Sequence, residues 1–128
     1  MNIKFTVSDI IQAAPEVIFT AWLSSEEHTR MTGNPATTSN KVGEEFSAWD
    51  GYIKGKNLEL NPSTRIVQLW RTSEFEDSDP DSLLEITLEP EVKGTRITIK
   101  HSDLPSHGMQ YKQGWIDAYF NPMKAYFG

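Results

Sequence analysis

Three histidines are the side chains of this sequence best suited to proton transfer near neutral pH. They are His28, His101 and His107, and an imidazole is the side chain whose ordinary pKa lies in that range. His101 follows Ile97 and Ile99 at every second position, so the alternation of a strand directs its ring towards the interior. Its ring is either a general base or a hydrogen-bonded histidine at the end of a strand. We adopt the second interpretation and predict no catalytic residue, because no histidine has triad spacing and no serine lies in a nucleophile elbow.

Possible metal ligands occur together in the segment His101-x-Asp103-x-x-x-His107. The segment contains Pro105 and offers no fourth ligand, so the sequence predicts no metal site. Residues 74–81 hold five carboxylates, but they lack the glycine and the alternating ligands of a calcium loop. We interpret this acidic run as a solvated loop, with docking of a basic partner as the alternative. The absence of cysteine excludes disulfides, thiolate catalysis and cysteine-ligated metals, and no cofactor is predicted.

Composition and charge narrow the classes of partner. A chain of 128 residues is predicted to be a single domain, residues 1–128, that buries most of its surface without crosslinks. A net charge of −6 argues against nucleic acid and anionic membranes, since both reward a positive surface. No apolar run is long enough to span a bilayer, and the N-terminus lacks the apolar core of a signal peptide. We therefore expect a cytoplasmic protein.

The element that must position these groups is a helix predicted over residues 111–127. At a period of 3.6 residues its large apolar side chains share one face, namely Trp115, Ile116, Tyr119, Phe120, Met123, Tyr126 and Phe127. The polar residues fall on the other face, with Gly114 beside them. Pro122 removes one backbone hydrogen bond, so the sequence predicts a kink there, or a break with Asn121 capping a short last turn.

The rest of the chain is predicted to form one strand, two short helices and then about six strands. Residues 3–7 alternate between apolar and polar. Pro15 opens a helix, and Ser24 with Glu27 forms a capping box that starts a second one, ended by Gly33. Residues 65–71 are apolar on both faces, which is typical of a central strand. Residues 84–88 and 96–100 are predicted to pair as a hairpin.

One strand departs from simple alternation. Ile53 lies at an odd position, whereas Leu58 and Leu60 lie at even positions. A β-bulge between Gly55 and Asn57 would return all three apolar side chains to one face. Together with the helices, these strands predict an α+β protein with its helices on one face of an antiparallel sheet.

The chain resembles the activator of heat-shock protein 90 ATPase homologue family, within the SRPBCC (START-like) superfamily. The residues that carry the resemblance run in order along the chain: Ala14-Pro15-Glu16-x-Ile18-Phe19, Gly51-x-Ile53-x-Gly55, Leu60-x-Pro62-x-x-x-Ile66-Val67-x-x-Trp70-Arg71, Gly94-Thr95-Arg96-Ile97-Thr98-Ile99, and Gln113-Gly114-Trp115 leading into Tyr119-Phe120. The resemblance implies the helix-grip fold of the birch-pollen-allergen proteins, in which a sheet of six or seven strands wraps around a long C-terminal helix. The resemblance also implies that eukaryotic activators carry a further domain ahead of this one, which we do not expect in a chain of 128 residues.

The resemblance implies a binding protein and two kinds of partner. One is a heat-shock protein 90 type chaperone, in a co-chaperone-like or stress-related role. The other is a small hydrophobic ligand held between the sheet and the C-terminal helix. Strand parity and the family's architecture give the candidate lining of such a cavity as Phe46, Trp70, His101, Trp115, Tyr119 and Phe120. Large aromatic side chains also fill a core efficiently, so the sequence leaves open whether this space is a cavity or a filled core.

Overall fold

A six-stranded antiparallel sheet and a C-terminal helix form the framework of the protein. The computed structural model describes residues 3–128. Within them the chain forms, in order, β1 (Ile3–Ile11), α1 (Pro15–Leu23), α2 (Ser25–Thr32), β2 (Glu45–Ala48), β3 (Ile53–Asn61), β4 (Arg65–Thr72), β5 (Ser82–Glu91), β6 (Gly94–Leu104), α3 (Gln110–Trp115), a π-helical segment (Ile116–Phe120) and α4 (Asn121–Phe127). We call the last three segments together the C-terminal helix. This order confirms the predicted α+β class.

The strands lie in the order β1-β6-β5-β4-β3-β2 across the sheet. From β2 to β6 each strand pairs with the next one along the chain. In contrast, β1 pairs with β6 at the opposite side of the sheet from β2. The two short helices therefore make the crossover between the edges. The strand predicted to be central, β4, lies between β3 and β5, and the predicted hairpin is β5–β6.

The two short helices begin and end as their capping residues predict. Pro15 occupies the first turn of α1, where its missing N–H costs no hydrogen bond. The side chain of Ser24 accepts a 3.3 Å hydrogen bond from the backbone N–H of Glu27 at the start of α2. Gly33 ends α2 with a φ of +79°, a left-handed conformation that glycine adopts without a steric penalty.

The inward face of the sheet and the C-terminal helix share one hydrophobic core. Inward-facing aliphatic side chains of β5 and β6 are at most 3% exposed, among them Leu84, Ile86, Leu88, Ile97 and Ile99. The helix adds Trp115, Phe120 and Met123 to the same cluster. Burial of one such side chain contributes about 1.5–3 kcal/mol to stability. Packing of the C-terminal helix against the sheet therefore contributes several kcal/mol to the free energy of unfolding.

The bulge in β3 lies close to its predicted position, but the prediction for Leu58 was wrong. The register shifts between Asn57 and Glu59, and Leu58 is 41% exposed. Asn57 is instead fully buried, because its amide nitrogen donates to the carbonyls of Ser39 at 2.8 Å and Lys41 at 3.1 Å. Its side-chain oxygen accepts a 2.8 Å hydrogen bond from Gln68. A satisfied polar network thus takes the inward position that apolar periodicity assigned to leucine.

Pro122 does not break the C-terminal helix. Phe120 and Asn121 keep right-handed helical backbone angles. The backbone N–H of Asn121 bonds to the carbonyl of Ile116, five residues earlier, which is the spacing of a π-helix. The wider turn accommodates the proline ring, so the prediction of Asn121 capping a separate last turn was wrong. It also shifts the phase of the last turn, and Tyr126, predicted to be on the apolar face, is 37% exposed.

In the part of the chain that the structure describes, no helix is both long and apolar enough to cross a membrane.

Candidate functional site

His101 lies at the centre of the core with every polar atom of its ring in a hydrogen bond. Its Nδ1 accepts a 3.1 Å bond from the indole N–H of Trp115. The hydroxyl of Ser82 donates to the carbonyl of Trp70 at 2.6 Å, so it has no hydrogen left to donate to His101. The 2.8 Å contact between His101 Nε2 and Ser82 Oγ must therefore be donated by the ring. These bonds assign His101 as a neutral imidazole with its proton on Nε2.

Burial lowers the pKa of His101 to about 3. Desolvation disfavours the charged imidazolium, and the ring is fully buried. In this neutral ring the basic lone pair lies on Nδ1 and already accepts the hydrogen bond from Trp115. The ring therefore has no site at which to accept a proton from a substrate. The geometry is that of a structural histidine.

A second buried histidine holds the C-terminal helix to α1 and α2. His28 Nδ1 lies 2.8 Å from the carbonyl of Trp22 and must donate to it. Its Nε2, 2.9 Å from the Tyr119 hydroxyl, is then the acceptor of that O–H. Burial lowers the pKa of His28 and raises that of Tyr119, so both remain neutral at physiological pH. The sequence analysis did not single out His28 as a core residue, because its position in a polar helix gives no apolar periodicity.

The aromatic rings of the helix and the sheet stack into one continuous cluster. Trp115 lies 5.7 Å from Trp70 and 4.9 Å from Tyr119, measured between ring centroids. Tyr119 stacks on Trp22 at 4.9 Å, and Trp70 meets Tyr111 edge to face at the same separation. Such pairs contribute about 0.5–1.5 kcal/mol beyond the burial of their area. The space between the sheet and the helix is therefore largely filled by side chains.

What remains open between the sheet and the helix is a small cleft. It has a volume of about 140 Å³. Its lining is almost wholly apolar and consists of Trp49, Tyr52, Ile53, Trp70, Tyr111, Gly114, Trp115, Ala118 and Tyr119. We call this depression the aromatic cleft. Ligand pockets of proteins commonly measure about 300–1,000 Å³, so this cleft is smaller than a typical lipid or cofactor site.

The structure brings three of the six predicted lining residues to the aromatic cleft. They are Trp70, Trp115 and Tyr119. His101 and Phe120 lie deeper in the core, at 0% and 1% exposure. Phe46 is 7% exposed and packs over Gly55, where an added Cβ would lie 2.6 Å from its ring.

The sequence analysis missed the residues that form the mouth of the cleft. Trp49 and Tyr52 come from the turn between β2 and β3, and Gly114 and Ala118 come from the helix. The sequence analysis placed Gly114 beside the polar residues of the helix, whereas in the structure it lines the cleft. A Cβ placed there would meet nothing within 4 Å. A signal for this opening was present in the spacing of two small residues at i and i+4, which lie on one face of a helix.

The acidic loop between β4 and β5 is mostly exposed to solvent, as the sequence predicted, and it is also tethered to β4. Arg71 donates to the carbonyls of Asp79 and Glu76, each at 3.0 Å, and to the carboxylate of Asp81 at 2.9 Å. Phe75 in this loop is only 6% exposed. The loop therefore has a defined course beside the aromatic cleft.

The sequence analysis considered His101, Asp103 and His107 as possible metal ligands. The fold does not bring these three described residues together as a metal site. His101 is enclosed in the core. His107 lies near the start of the C-terminal helix, where its Nε2 is 3.2 Å from the Tyr111 hydroxyl. That hydroxyl also contacts Thr72 Oγ1 at 2.6 Å. His107 thus belongs to a small hydrogen-bonded group that joins the helix to β4.

Comparison with known proteins identifies the relatives of this chain. The model of the family described as Activator of Hsp90 ATPase homolog 1-like protein matches residues 12–128. An activator of 90 kDa heat shock protein ATPase homolog from Dictyostelium discoideum is 26% identical over 106 residues, which are 81% of this chain and 27% of that protein. The chain therefore spans about a quarter of the length of this curated relative.

Solved structures share the fold. A crystal structure of an HSP90 activator from Plasmodium falciparum is 24% identical and superposes with a TM-score of 0.85, covering 96% of this chain and 94% of that one. A protein from Mesorhizobium loti is 19% identical with a TM-score of 0.79, covering 96% and 95%. One from Chromobacterium violaceum is 22% identical with a TM-score of 0.77, covering 97% and 96%. These likenesses agree with the predicted helix-grip fold.

Proposed function

The chain belongs to the family of Activator of Hsp90 ATPase homolog 1-like proteins, and on this premise we propose that it is a non-enzymatic binding protein whose partner is an Hsp90-type chaperone. Its role would be that of a co-chaperone, and its compartment would be that of the chaperone, the cytoplasm. The name of the Dictyostelium relative, an activator of 90 kDa heat shock protein ATPase homolog, supports this assignment.

The observation that carries the proposal is the filled space under the C-terminal helix. Trp70, Trp115 and Tyr119 pack against each other where a carrier of lipids would need an empty volume. The remaining cleft of about 140 Å³ opens to the surface. A filled core supports a function performed by the outer surface, through contact with another protein.

The state of the buried histidines supports a role without catalysis. His101 and His28 are neutral, and both nitrogens of each ring are occupied by hydrogen bonds. An active site requires a titratable group with access to substrate. Neither ring has such access, since both are at most 2% exposed.

The test is the ATPase rate of the purified Hsp90-type chaperone from the same organism, with and without this protein. We expect a saturable rise in the rate, and a matching affinity from isothermal titration calorimetry. An inhibitor that occupies the chaperone's nucleotide site serves as the control for contaminating ATPases. If calorimetry detects no binding at the highest soluble concentrations, the chaperone is not the partner.

A second candidate function is the binding of a small hydrophobic molecule. The observation that favours it is the apolar lining of the aromatic cleft. Native mass spectrometry of the purified protein tests it, because a retained ligand adds a defined mass that denaturation removes. A single mass equal to that of the chain, together with no binding of small aromatic compounds, would exclude this function.

A further inference from the structure

The aromatic cleft has the dimensions of a single side chain. Gly114 and Ala118 leave room on the helix, and an added Cβ at Gly114 would meet no atom within 4 Å. The volume of about 140 Å³ is close to that of an apolar cavity of about 150 Å³ that accepts one benzene molecule. The walls present the rings of Trp49, Tyr52 and Trp115. A cleft of this size and lining suits one aromatic ring.

The margin of the cleft is acidic. Asp50 is exposed in the turn between the lining residues Trp49 and Tyr52. Glu74 accepts hydrogen bonds from the Tyr52 hydroxyl and, at 3.1 Å, from Gln110. Asp117, exposed on the helix between Gly114 and Ala118, accepts a 3.0 Å bond from Gln113. These three carboxylates come from three separate segments, and each is bonded to a lining residue or adjacent to one in the sequence.

No lysine or arginine is among the described residues that line the cleft. Arg71 is paired with Asp81 at 2.9 Å. Lys54, which follows the lining residue Ile53, is exposed on the outer face of the sheet. The acidic loop at 74–81 therefore adds to the negative potential of the margin.

The lining also contains a buried polar group, the indole N–H of Trp49. The indole nitrogen of Trp49 is buried and makes no hydrogen bond of acceptable geometry with any described residue. It lies near enough to the Tyr119 hydroxyl to oppose the rise in the pKa of that group.

We propose that the aromatic cleft is the docking site for one aromatic side chain of a partner protein, presented by a segment that carries lysine or arginine on either side of it. The ring fills the space beside Gly114, and the flanking cations meet Asp50, Glu74 and Asp117. This inference rests on the proposed function, because it describes how a protein-binding domain contacts its partner. Central aromatic anchors in pockets, surrounded by polar margins, dominate the energetics of protein interfaces.

Charge also argues against two other occupants. A second copy of this chain carries the same net charge of −6, so two acidic margins would repel each other. An anionic lipid surface would be repelled in the same way. A basic segment is the occupant that electrostatic complementarity selects.

The experiment uses synthetic peptides as probes and the backbone and indole NMR signals of the whole chain as the readout. The first peptide, acetyl-Lys-Lys-Phe-Lys-Lys-amide, is expected to shift the signals of Trp49 and Gly114 in a saturable way. Replacing its phenylalanine by alanine should weaken binding roughly tenfold or more, since the anchor supplies most of the affinity. Replacing its lysines by glutamates should abolish binding, and replacing them by serines should weaken it and remove its dependence on salt.

A matched pair of variants localises the site. Gly114→Leu adds a side chain at a lining position where a Cβ meets no atom within 4 Å, and it should eliminate peptide binding. Ala125→Leu adds a similar side chain at an exposed position of the same helix and should leave binding unchanged. Circular dichroism and thermal melts of both variants verify that the fold is intact.

Each contrary outcome has a definite meaning. Equal binding by the lysine and serine peptides, or unchanged binding by Gly114→Leu, overturns the inference. So does the absence of any shift at Trp49 and Gly114. If the chaperone binds but is insensitive to Gly114→Leu, the inference fails and the proposed function stands. If the basic peptide binds as expected and the chaperone does not, the docking site stands and the chaperone is the wrong partner.

Discussion

The indole N–H of Trp115 donates a 3.1 Å hydrogen bond to Nδ1 of His101 in the centre of the core. This bond fixes the tautomer of the histidine and the rotation of the indole at the same time. It also connects the C-terminal helix to β6, and through Ser82 to the carbonyl of Trp70 on β4. A polar chain of this kind gives an apolar interface a single preferred arrangement.

Replacing Trp115 by phenylalanine tests the contribution of this bond. We expect Trp115→Phe to lower the free energy of unfolding by about 2–4 kcal/mol, because it removes buried apolar volume and leaves His101 Nδ1 without a donor. Urea denaturation measures the change. Trp49→Phe is the matched control, since Trp49 is less buried than Trp115, and it should cost less. Equal losses in the two variants would show that the bond contributes nothing.

The buried histidines predict a loss of stability in mild acid. The pKa of His101 is about 3 in the folded protein and about 6.5 in the unfolded chain, so below pH 6.5 the unfolded state binds the additional proton. Stability is complete above pH 6.5 and falls as the pH decreases towards 3, by up to about 1.4 kcal/mol per pH unit. His28, whose pKa is also lowered by burial, adds to the fall.

Urea denaturation at pH 7.5 and at pH 5 measures this dependence. The ring signals of His101, followed by NMR on the folded protein, should not titrate between those two values. Titration of His101 near pH 6.5 would contradict the assignment of a neutral ring held by Trp115 and Ser82.

Glycine positions predict opposite effects of the same substitution. Gly114→Ala should stabilise the protein by about 0.5–1 kcal/mol, because the methyl group enters open space and alanine favours a helix. Gly55→Ala should destabilise it severely, since the new Cβ would lie 1.9 Å from the carbonyl oxygen of Leu69. Thermal melts of the two variants provide the comparison. A destabilised Gly114→Ala variant would show that the cleft is not open at the helix.

Asn57 predicts a local effect on the loop before β2. Asn57→Leu should destabilise the protein by about 2–3 kcal/mol, because Gln68 and the carbonyls of Ser39 and Lys41 lose their partner. Hydrogen exchange should accelerate first at the amide of Gly43, which bonds to the Asn57 carbonyl at 2.8 Å. Leu58→Asn, at the neighbouring exposed position, is the control and should have little effect. Unchanged hydrogen exchange at Gly43 would show that the side chain of Asn57 does not stabilise this loop.

The sequence predicted most of the fold because alternation and capping are local signals. Residues 84–88 and 96–100 alternate strictly and pair as predicted, and Ser24 caps α2. The inward position of Asn57 was not predictable, because apolar periodicity favours Leu58 and the carbonyls that satisfy Asn57 come from a distant loop. The π-helical turn before Pro122 was also missed, since a proline in a helix predicts a kink or a break unless packing selects a wider turn.

The candidate site was less predictable than the fold. Trp70, Trp115 and Tyr119 could be expected at the interface because each follows the period of its own element. The turn that holds Trp49 and Tyr52 places them against the helix through long-range contacts that no local pattern encodes. The size of the cleft depends on how closely the rings of Trp70 and Trp115 approach each other, and this is decided by packing.

The pairing of β1 with β6 constrains how this domain can fold during its synthesis on the ribosome. Val7 pairs with Ile99 and Ser8 with Thr98. The first strand of the domain, β1, therefore cannot join the sheet until its last strand, β6, has been synthesised. The C-terminal helix, which covers the apolar face, emerges later still. Until then the nascent chain exposes an unpaired strand and an uncovered sheet, and these are the features that lead to aggregation and slow folding. A domain built in this way completes its folding only when synthesis has passed its final helix.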